Sequence, residues 1–337
     1  MHRVSIGTWA YSVGPYANNP VPFGEVAKGL KAMGFDGLEL GAFGAHPTPD
    51  NHPTKESRHT LRDLVESNGL LFSGIAGDMW SEKLVNAEDG GRSYLATIRK
   101  NMEFARDLGI TLFRVDTVQP PEILESMDKG VAMDRVARTW RQVCRMAADM
   151  GMLVAWEFEP GFVFNRPSDI VALVDAVGEK NFGAMFDTCH AYTCGVVGLR
   201  QTGGPKEVSA DGVLGLAKRL RGKINAIQVI DCDGSLNDHH TSTHNPMGEG
   251  KIDFPPVMKE LAAHSGSPHD WWTIDLCFWP NAWPATKKCK KAVDALNALV
   301  AGKSKVKKPS GPAAKARTKP ARPKRAARKS GGRGKRR

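Results

Sequence analysis

The 337-residue sequence lacks any apolar run that approaches the ~18 residues of a membrane-spanning helix. Its N-terminus enters a strand-like run at once, and it has neither the apolar segment nor the small-residue cleavage site of a secretory signal. The six cysteines are scattered without the CxxC spacing of zinc sites, and this also argues against a disulfide framework. We therefore predict a cytoplasmic protein without a membrane partner.

Acidic residues are absent from residues 302–337, a tail that contains 16 of the 47 Lys and Arg residues. Residues 1–301 therefore hold 31 basic residues against 36 acidic ones, so the formal net charge of +11 belongs to the tail. The tail also has no aromatic residue and one branched aliphatic residue, Val306, so we predict that it is disordered.

A tail of this composition neutralises phosphates, which predicts nonspecific nucleic-acid binding. It resembles the Lys/Ala/Pro-rich tails of histone-like proteins. Without aromatic residues to stack on bases, it is not expected to read a nucleic-acid sequence. The alternative is a solvated tether whose nucleic-acid binding is incidental.

Residues 1–301 alternate between strand-like and helix-like segments and are predicted to form one domain. The eight predicted strands are residues 3–7, 37–40, 70–75, 111–115, 153–158, 181–186, 224–230 and 271–276. The predicted helices are residues 23–33, 55–67, 91–108 and 131–150, a segment opened by Pro167, then 210–221, 254–264 and 285–300. This alternation predicts a (β/α)8 TIM barrel, which typically has ~250 residues or more. A doubly wound sheet is the competing fold, but no Gly-rich phosphate turn follows the first strand.

Two connections are long, residues 193–210 and residues 231–253. Both follow strands, so in a barrel they would lie over the mouth, where long loops bind substrate or act as lids. The second loop contains His239, His240 and His244, which are either ligands of a second metal ion or ordinary polar surface.

The sixth strand ends at Asp187, and His190 follows three residues later. A carboxylate and an imidazole at this spacing can converge on a metal ion or on a proton in transit. The alternative is an Asp that caps the next turn and a His that packs beside it. His190 is accordingly predicted either to contact substrate as a catalytic group or to pack.

Four consecutive strands carry an inward oxygen donor near their C-terminal ends: Glu157, Asp187, Gln228 and Asp275. Buried carboxylates at this density repel one another unless a cation neutralises them. An all-oxygen set favours Mg²⁺ or Mn²⁺ over a structural zinc ion. The alternative for Glu157 is an ion pair with Arg114 of the neighbouring strand.

Four short motifs follow these strands in order. They are Glu157-Phe158-Glu159-Pro160-Gly161 with Asn165, Asp187-Thr188-Cys189-His190, Gln228-Val229-Ile230-Asp231-Cys232-Asp233-Gly234, and Gly248-Glu249-Gly250-Lys251-Ile252-Asp253. They resemble the E-x-E-P-G…N, D-x-x-H, H-x-K-D-x-D-G and G-E-G-x-I-D motifs of the sugar phosphate isomerase/epimerase superfamily, the xylose isomerase-like TIM barrels. The resemblance covers residues 3–300 and excludes the tail.

The resemblance implies that Glu157, Asp187, Gln228 and Asp275 bind one divalent metal ion, Mn²⁺ or Mg²⁺. Gln228 stands where the family usually has His, and Asp275 stands where it usually has Glu. Gln can ligate through its carbonyl oxygen, as in some dehydratase-type members. In the epimerases the first and fourth carboxylates exchange protons with substrate, which makes Glu157 and Asp275 the expected catalytic pair, although Asp275 is one methylene shorter. Endonuclease IV-like repair needs several His at strand ends, which the sequence lacks.

Further candidate substrate contacts lie at other strand ends and loops. They are Trp9, Glu39, Glu159, His190, Asp231 and His240. Glu39 could bind substrate hydroxyls or pair with a Lys, and Trp9 could stack on a sugar ring or simply pack.

The predicted function is a metal-dependent isomerase or epimerase that acts on a small keto-sugar or polyol. The metal would chelate a carbonyl and a neighbouring hydroxyl, acidify the carbon between them and stabilise the enediolate. Expulsion of a β-hydroxyl would instead give a dehydratase, as in inosose or dehydroshikimate dehydratases. A third hypothesis is a non-catalytic barrel tethered to nucleic acid by its tail. The oligomeric state stays open, a homo-oligomer included.

Overall fold

A computed structural model describes residues 1–264 and 270–302 of the chain. Eight β-strands run through these residues. They are β1 (Arg3–Ile6), β2 (Gly37–Ala42), β3 (Leu71–Gly77), β4 (Leu112–Val115), β5 (Leu153–Glu157), β6 (Phe182–Asp187), β7 (Ile224–Val229) and β8 (Trp271–Ile274). The predicted strands are all present, with ends that differ from the prediction by a few residues.

The eight strands form one parallel sheet in which each strand lies beside its neighbours in sequence. β1 pairs with β8 along its whole length, and a parallel bridge between Gly7 and Glu39 brings the same strand to β2. The sheet therefore closes on itself, which confirms the predicted (β/α)8 barrel and excludes the open, doubly wound sheet.

Helices separate the strands and cover the outside of the barrel. They are α1 (Phe23–Ala32), α2 (Lys55–Ser67), α3 (Arg92–Asp107), α4 (Lys129–Asp149), α5 (Pro167–Val177), α6 (Thr188–Tyr192), α7 (Gly212–Arg219), α8 (Phe254–His264) and α9 (Ala282–Val300). Local signals set several of their ends, as in α4, where the Asp128 side chain accepts a hydrogen bond from the Val131 amide at 2.9 Å.

The chain after β6 differs from the prediction. α6 begins immediately after Asp187, and a π-helical segment, Thr193–Val197, continues it. The sequence predicted a loop from residue 193 and no helix before residue 210. A five-residue helix buried on nearly all sides has no amphipathic period, so hydrophobic spacing could not reveal it.

A small apolar cluster lies inside the barrel below the candidate site. Leu112, Ala155, Met185 and Ala226 form a separate buried cluster inside the sheet. The last three each precede an inward oxygen donor by two residues, which is the strand period. The apolar layer therefore closes the barrel from below and places the polar side chains in the layer above it, at the C-terminal ends of the strands.

The predictions of tail disorder and of nucleic-acid binding fall on residues 303–337, which lie outside the described residues. Within residues 1–264 and 270–302, none of the helices combines the length and the apolar character needed to cross a membrane. The cytoplasmic location stays a prediction.

Candidate active site

A cavity of about 540 Å³ opens at the C-terminal ends of the strands. Among the predicted site residues, its lining includes Trp9, Glu157, Glu159, His190 and Asp275. Three further predicted residues are fully or almost fully buried at neighbouring strand positions: Glu39, Asp187 and Gln228. The remaining two, Asp231 and His240, do not line the cavity.

Glu157 at the end of β5 makes the ion pair that the sequence offered as an alternative to metal binding. Its Oε2 pairs with the Arg114 guanidinium, which also donates to Asp116 at 3.1 and 3.2 Å. Glu157 Oε1 is buried and has no hydrogen-bond partner among the described residues. Burial raises the pKa of Glu157 well above its usual value, although Arg114 opposes this shift. The ion pair thus occupies one carboxylate oxygen and leaves the other unsatisfied.

Asp187 at the end of β6 makes the capping contact that the sequence offered as the alternative to metal binding. Its Oδ1 caps α6 by accepting a hydrogen bond from the His190 amide at 2.7 Å. Its Oδ2 is buried without a hydrogen-bond partner in the described chain. Burial raises the pKa of Asp187 to about 7, because the positive charge of His244 compensates the carboxylate only in part.

Gln228 on β7 lies beside Asp187 in the sheet register and contacts Glu39 across the barrel. Its Nε2 donates to Glu39 Oε2 at 3.1 Å, so Glu39 pairs with an amide and not with a Lys. The amide oxygen of Gln228 and the other carboxylate oxygen of Glu39, Oε1 in both, are buried without a partner in the part of the chain described. Burial raises the pKa of Glu39 to about 7.

Asp275 beyond β8 has both carboxylate oxygens in contact with protein groups. The Trp9 indole Nε1 donates to Oδ1 at 2.5 Å, and His244 Nε2 lies 3.3 Å from Oδ2. Burial is the largest single influence and would raise the pKa of Asp275, but the charge and hydrogen bond of His244, together with His190 and the Trp9 indole, lower it to about 2. Burial likewise disfavours the charged imidazole, yet Asp275 raises the pKa of His244 to about 9. Asp275 and His244 therefore form a buried ion pair at neutral pH.

The four metal ligands predicted from the sequence do not include His244. It is buried, and its ring meets that of His190 edge-on at 4.9 Å between centroids. His239 and His240, which the sequence grouped with it, are exposed. Residues in a long loop follow no hydrophobic period, so only the tertiary fold shows which imidazole enters the site.

His190 is held by the same loop, because its Nδ1 lies 2.8 Å from Ser242 Oγ. Burial lowers the pKa of His190 well below its usual value, and the charge of His244 adds to this effect. His190 is therefore a neutral imidazole at neutral pH.

Two of the predicted substrate contacts have other partners. Glu159 lines the cavity and accepts a hydrogen bond from the Thr241 hydroxyl, while burial raises its pKa to about 7. Asp231 accepts hydrogen bonds from the amides of Cys232, Gly248, Gly250 and Ile252 at 2.8 to 3.2 Å. Asp231 thus fixes the start of the β7–α8 loop to its end.

The donor set fits a divalent cation. Ligand atoms of Asp187, His190 and His244 lie within 4.8 Å of one another, as do those of Glu157, His190 and Asp275. The unpartnered oxygens of Glu157, Asp187 and Gln228 are the kind of buried polar atoms that a cation satisfies. Carboxylate, amide and imidazole groups are all known ligands of divalent metal ions.

A closed barrel of eight parallel strands, with carboxylates and imidazoles around one cavity at the strand ends, defines a TIM barrel with its site on the usual face. The family profile described as "Xylose isomerase-like TIM barrel" matches residues 28–299. The chain belongs to this family, which confirms the resemblance seen in the four sequence motifs. A search of curated protein sequences gave no significant match.

Solved structures give the same fold. The chain is similar to a D-tagatose 3-epimerase-like protein, with a TM-score of 0.64 and 18% identity over 88% of this chain and 99% of the other. The chain is also similar to an L-ribulose 3-epimerase, with a TM-score of 0.65 and 14% identity over 90% of this chain and 97% of the other. For the probable 3-DHS dehydratase AsbF from Bacillus anthracis, the TM-score is 0.63 and the identity 15%, over 87% of this chain and 98% of the other. At these identities the likeness concerns the fold.

Proposed function

We propose that the protein is a divalent-cation-dependent isomerase or epimerase that acts on a small keto-sugar or keto-polyol. The observation that carries the proposal is the set of three unpartnered, buried oxygens of Glu157, Asp187 and Gln228 at the ends of consecutive strands. Solved structures of the same fold include sugar epimerases and a dehydratase, which supports this reaction class.

Glu157, Asp187 and Gln228 would hold the cation, with Asp275 or the neutral imidazole of His190 completing the set. Bound Mn²⁺ or Mg²⁺ would supply Lewis-acid polarisation of a substrate carbonyl. The protein's own groups then bind the substrate and move protons. Glu157 accepts the proton from the carbon next to the carbonyl, since its pKa is raised by burial and it lines the cavity.

His244 is the proton donor in this proposal. Its pKa of about 9 keeps it protonated at neutral pH, and Asp275 orients its ring from 3.3 Å. Asp275 is one methylene shorter than the usual Glu, and in this proposal the imidazole beside it takes over the role of the second acid. Return of the proton to carbon gives isomerisation or epimerisation.

A dehydratase is the second candidate, and the same His244–Asp275 pair favours it. An imidazolium held by a carboxylate is a suitable acid for a departing hydroxyl group. If His244 faces a β-hydroxyl and not the carbon, that hydroxyl leaves as water and a conjugated enone remains. The two reactions share the proton abstraction and differ in the atom that His244 protonates.

The charge of the cavity argues for an unphosphorylated substrate. Among the described residues, Arg114 is the one Lys or Arg side chain in the lining, and Asp116 and Glu157 already pair with it. A phosphate group would therefore meet carboxylates without a free cationic side chain to bind it.

Solvent-deuterium exchange tests the proposal before the substrate is known. A panel of ketoses and keto-polyols is incubated with the protein and Mn²⁺ in D₂O and followed by NMR. We expect deuterium to enter at a carbon next to the carbonyl of at least one compound, and EDTA to stop the exchange. Loss of water with new enone absorbance would identify the dehydratase. Absence of exchange across the panel with Mn²⁺ bound would contradict proton abstraction.

A further inference from the structure

Three pairs of aromatic rings line the cavity, and none of them takes part in the proposed proton transfers. Trp9 lies near Phe43, with 6.5 Å between ring centroids, and Trp80 lies near Phe162 at 6.2 Å. The third pair is His239 stacked on Phe278, at 4.5 Å and an interplanar angle of 22°. All six side chains belong to the lining of the cavity.

The aromatic rings are on average more exposed than the polar groups of the site. Trp80 is 59% exposed, and Phe43, Phe162 and Phe278 are half-buried, whereas Glu157, Asp275 and His244 are each at most 3% exposed. The cavity therefore has a polar floor and a largely aromatic mouth. Trp80 leaves much of its ring in water, a cost that a ligand covering the ring would remove.

Phe278 is held in a backbone conformation that a bulky residue rarely adopts. Its φ is 58°, in the left-handed region that favours glycine. The facing residue is Gly14, where an added Cβ would lie 2.6 Å from Phe278 Cδ1. Strain of this kind persists where the surrounding structure imposes it, and it is concentrated at ligand sites.

The cavity is larger than the proposed keto-sugar or keto-polyol requires. A volume of about 540 Å³ lies within the range of pockets that hold drug-sized ligands, and a monosaccharide would fill only part of it. The remaining space adjoins the aromatic mouth. The rings there offer flat apolar faces, against which an aromatic group can stack in the offset or edge-to-face arrangements that aromatic pairs prefer.

We propose that the mouth of the cavity is a subsite for a planar aromatic group attached to the sugar or polyol head, so that the substrates are aryl-substituted keto-sugars. The inference rests on the proposed function for the identity of the head group. Trp80 and Phe278 are the residues that contact the aromatic group, while the polar floor binds the head.

Calorimetric binding in the presence of Mn²⁺ tests the subsite. The probes are 6-O-phenyl-D-fructose, 6-O-methyl-D-fructose and isomaltulose (6-O-glucosyl-D-fructose), which share a keto-sugar head and differ in the attached group. We expect the phenyl compound to bind about tenfold tighter than the methyl compound, as two new aromatic contacts allow. In the Trp80→Ala/Phe278→Ala double variant this difference disappears and binding of the methyl compound is unchanged.

Leu71→Ala is the matched control, because Leu71 is 44% exposed at the start of β3, away from the strand ends that form the cavity. It should leave all three affinities unchanged. Equal affinity for the phenyl and methyl compounds, isomaltulose as the tightest ligand, or no binding of the phenyl compound would each overturn the subsite. Binding requires no turnover, so a preference for phenyl without deuterium exchange would refute the proposed function and leave the subsite standing.

Discussion

The Glu157→Gln variant is expected to lose at least about 10²-fold in turnover, the lower range for removal of a general base. Its affinity for Mn²⁺ is also expected to fall by more than ~10–100-fold. That range is the cost of losing a residue that only supports a metal ligand, whereas Glu157 Oε1 would be a direct ligand. Gln retains an oxygen that can accept the hydrogen bond from Arg114, so the barrel should stay folded. Turnover and Mn²⁺ affinity are measured on the same preparation.

Glu25→Gln is the control for this substitution. Glu25 is exposed on α1, outside the barrel, and should tolerate the same chemical change without effect on either quantity. A Glu157→Gln variant with the turnover and Mn²⁺ affinity of the unsubstituted protein would show that the ion pair with Arg114 is the whole role of Glu157.

Arg114→Met is expected to lower the free energy of unfolding by about 3–5 kcal/mol in cation-free protein, the cost of breaking a buried ion pair. The Arg114 side chain is 11% exposed and contacts Asp116 and Glu157, so its loss leaves two carboxylates without their cationic partner. Added Mn²⁺ should restore part of this loss, since it supplies positive charge beside Glu157. Urea unfolding with and without Mn²⁺ measures both effects.

Arg138→Met removes a comparable pair from the protein surface. Arg138 and Asp134 are 63% and 60% exposed on α4, where such pairs contribute ~0–1 kcal/mol. A loss at Arg114 no larger than the loss at Arg138 would mean that the carboxylates around Arg114 are well solvated or already neutral. Either result would contradict a cation site at the floor of the cavity.

The barrel and the main oxygen donors could be predicted because buried parallel strands carry their own pattern. Each strand is a short apolar run, and the two-residue period fixes which side chains point into the barrel. Glu157, Asp187 and Gln228 each follow an inward apolar residue by two positions, so the sequence places all three in one layer.

The contacts made by loops could not be predicted in the same way. Asp231 binds four loop amides, and His244 reaches Asp275 from the middle of a long connection. Neither interaction follows a strand or helix period. Trp9 was expected to stack on a sugar ring or to pack, and the hydrogen bond that its indole donates to Asp275 was not predicted. Partners of this kind depend on how the β7–α8 loop folds over the mouth, which only the tertiary structure specifies.

Titration of cation-free protein with Mn²⁺, with the free ion followed by EPR and the bound metal by elemental analysis, tests the central claim most directly. We predict one Mn²⁺ per chain, displaced by excess Mg²⁺ and lost in the Glu157→Gln variant. A protein that holds no divalent cation near stoichiometric occupancy, either as purified or after titration, would contradict a cation site built from Glu157, Asp187 and Gln228.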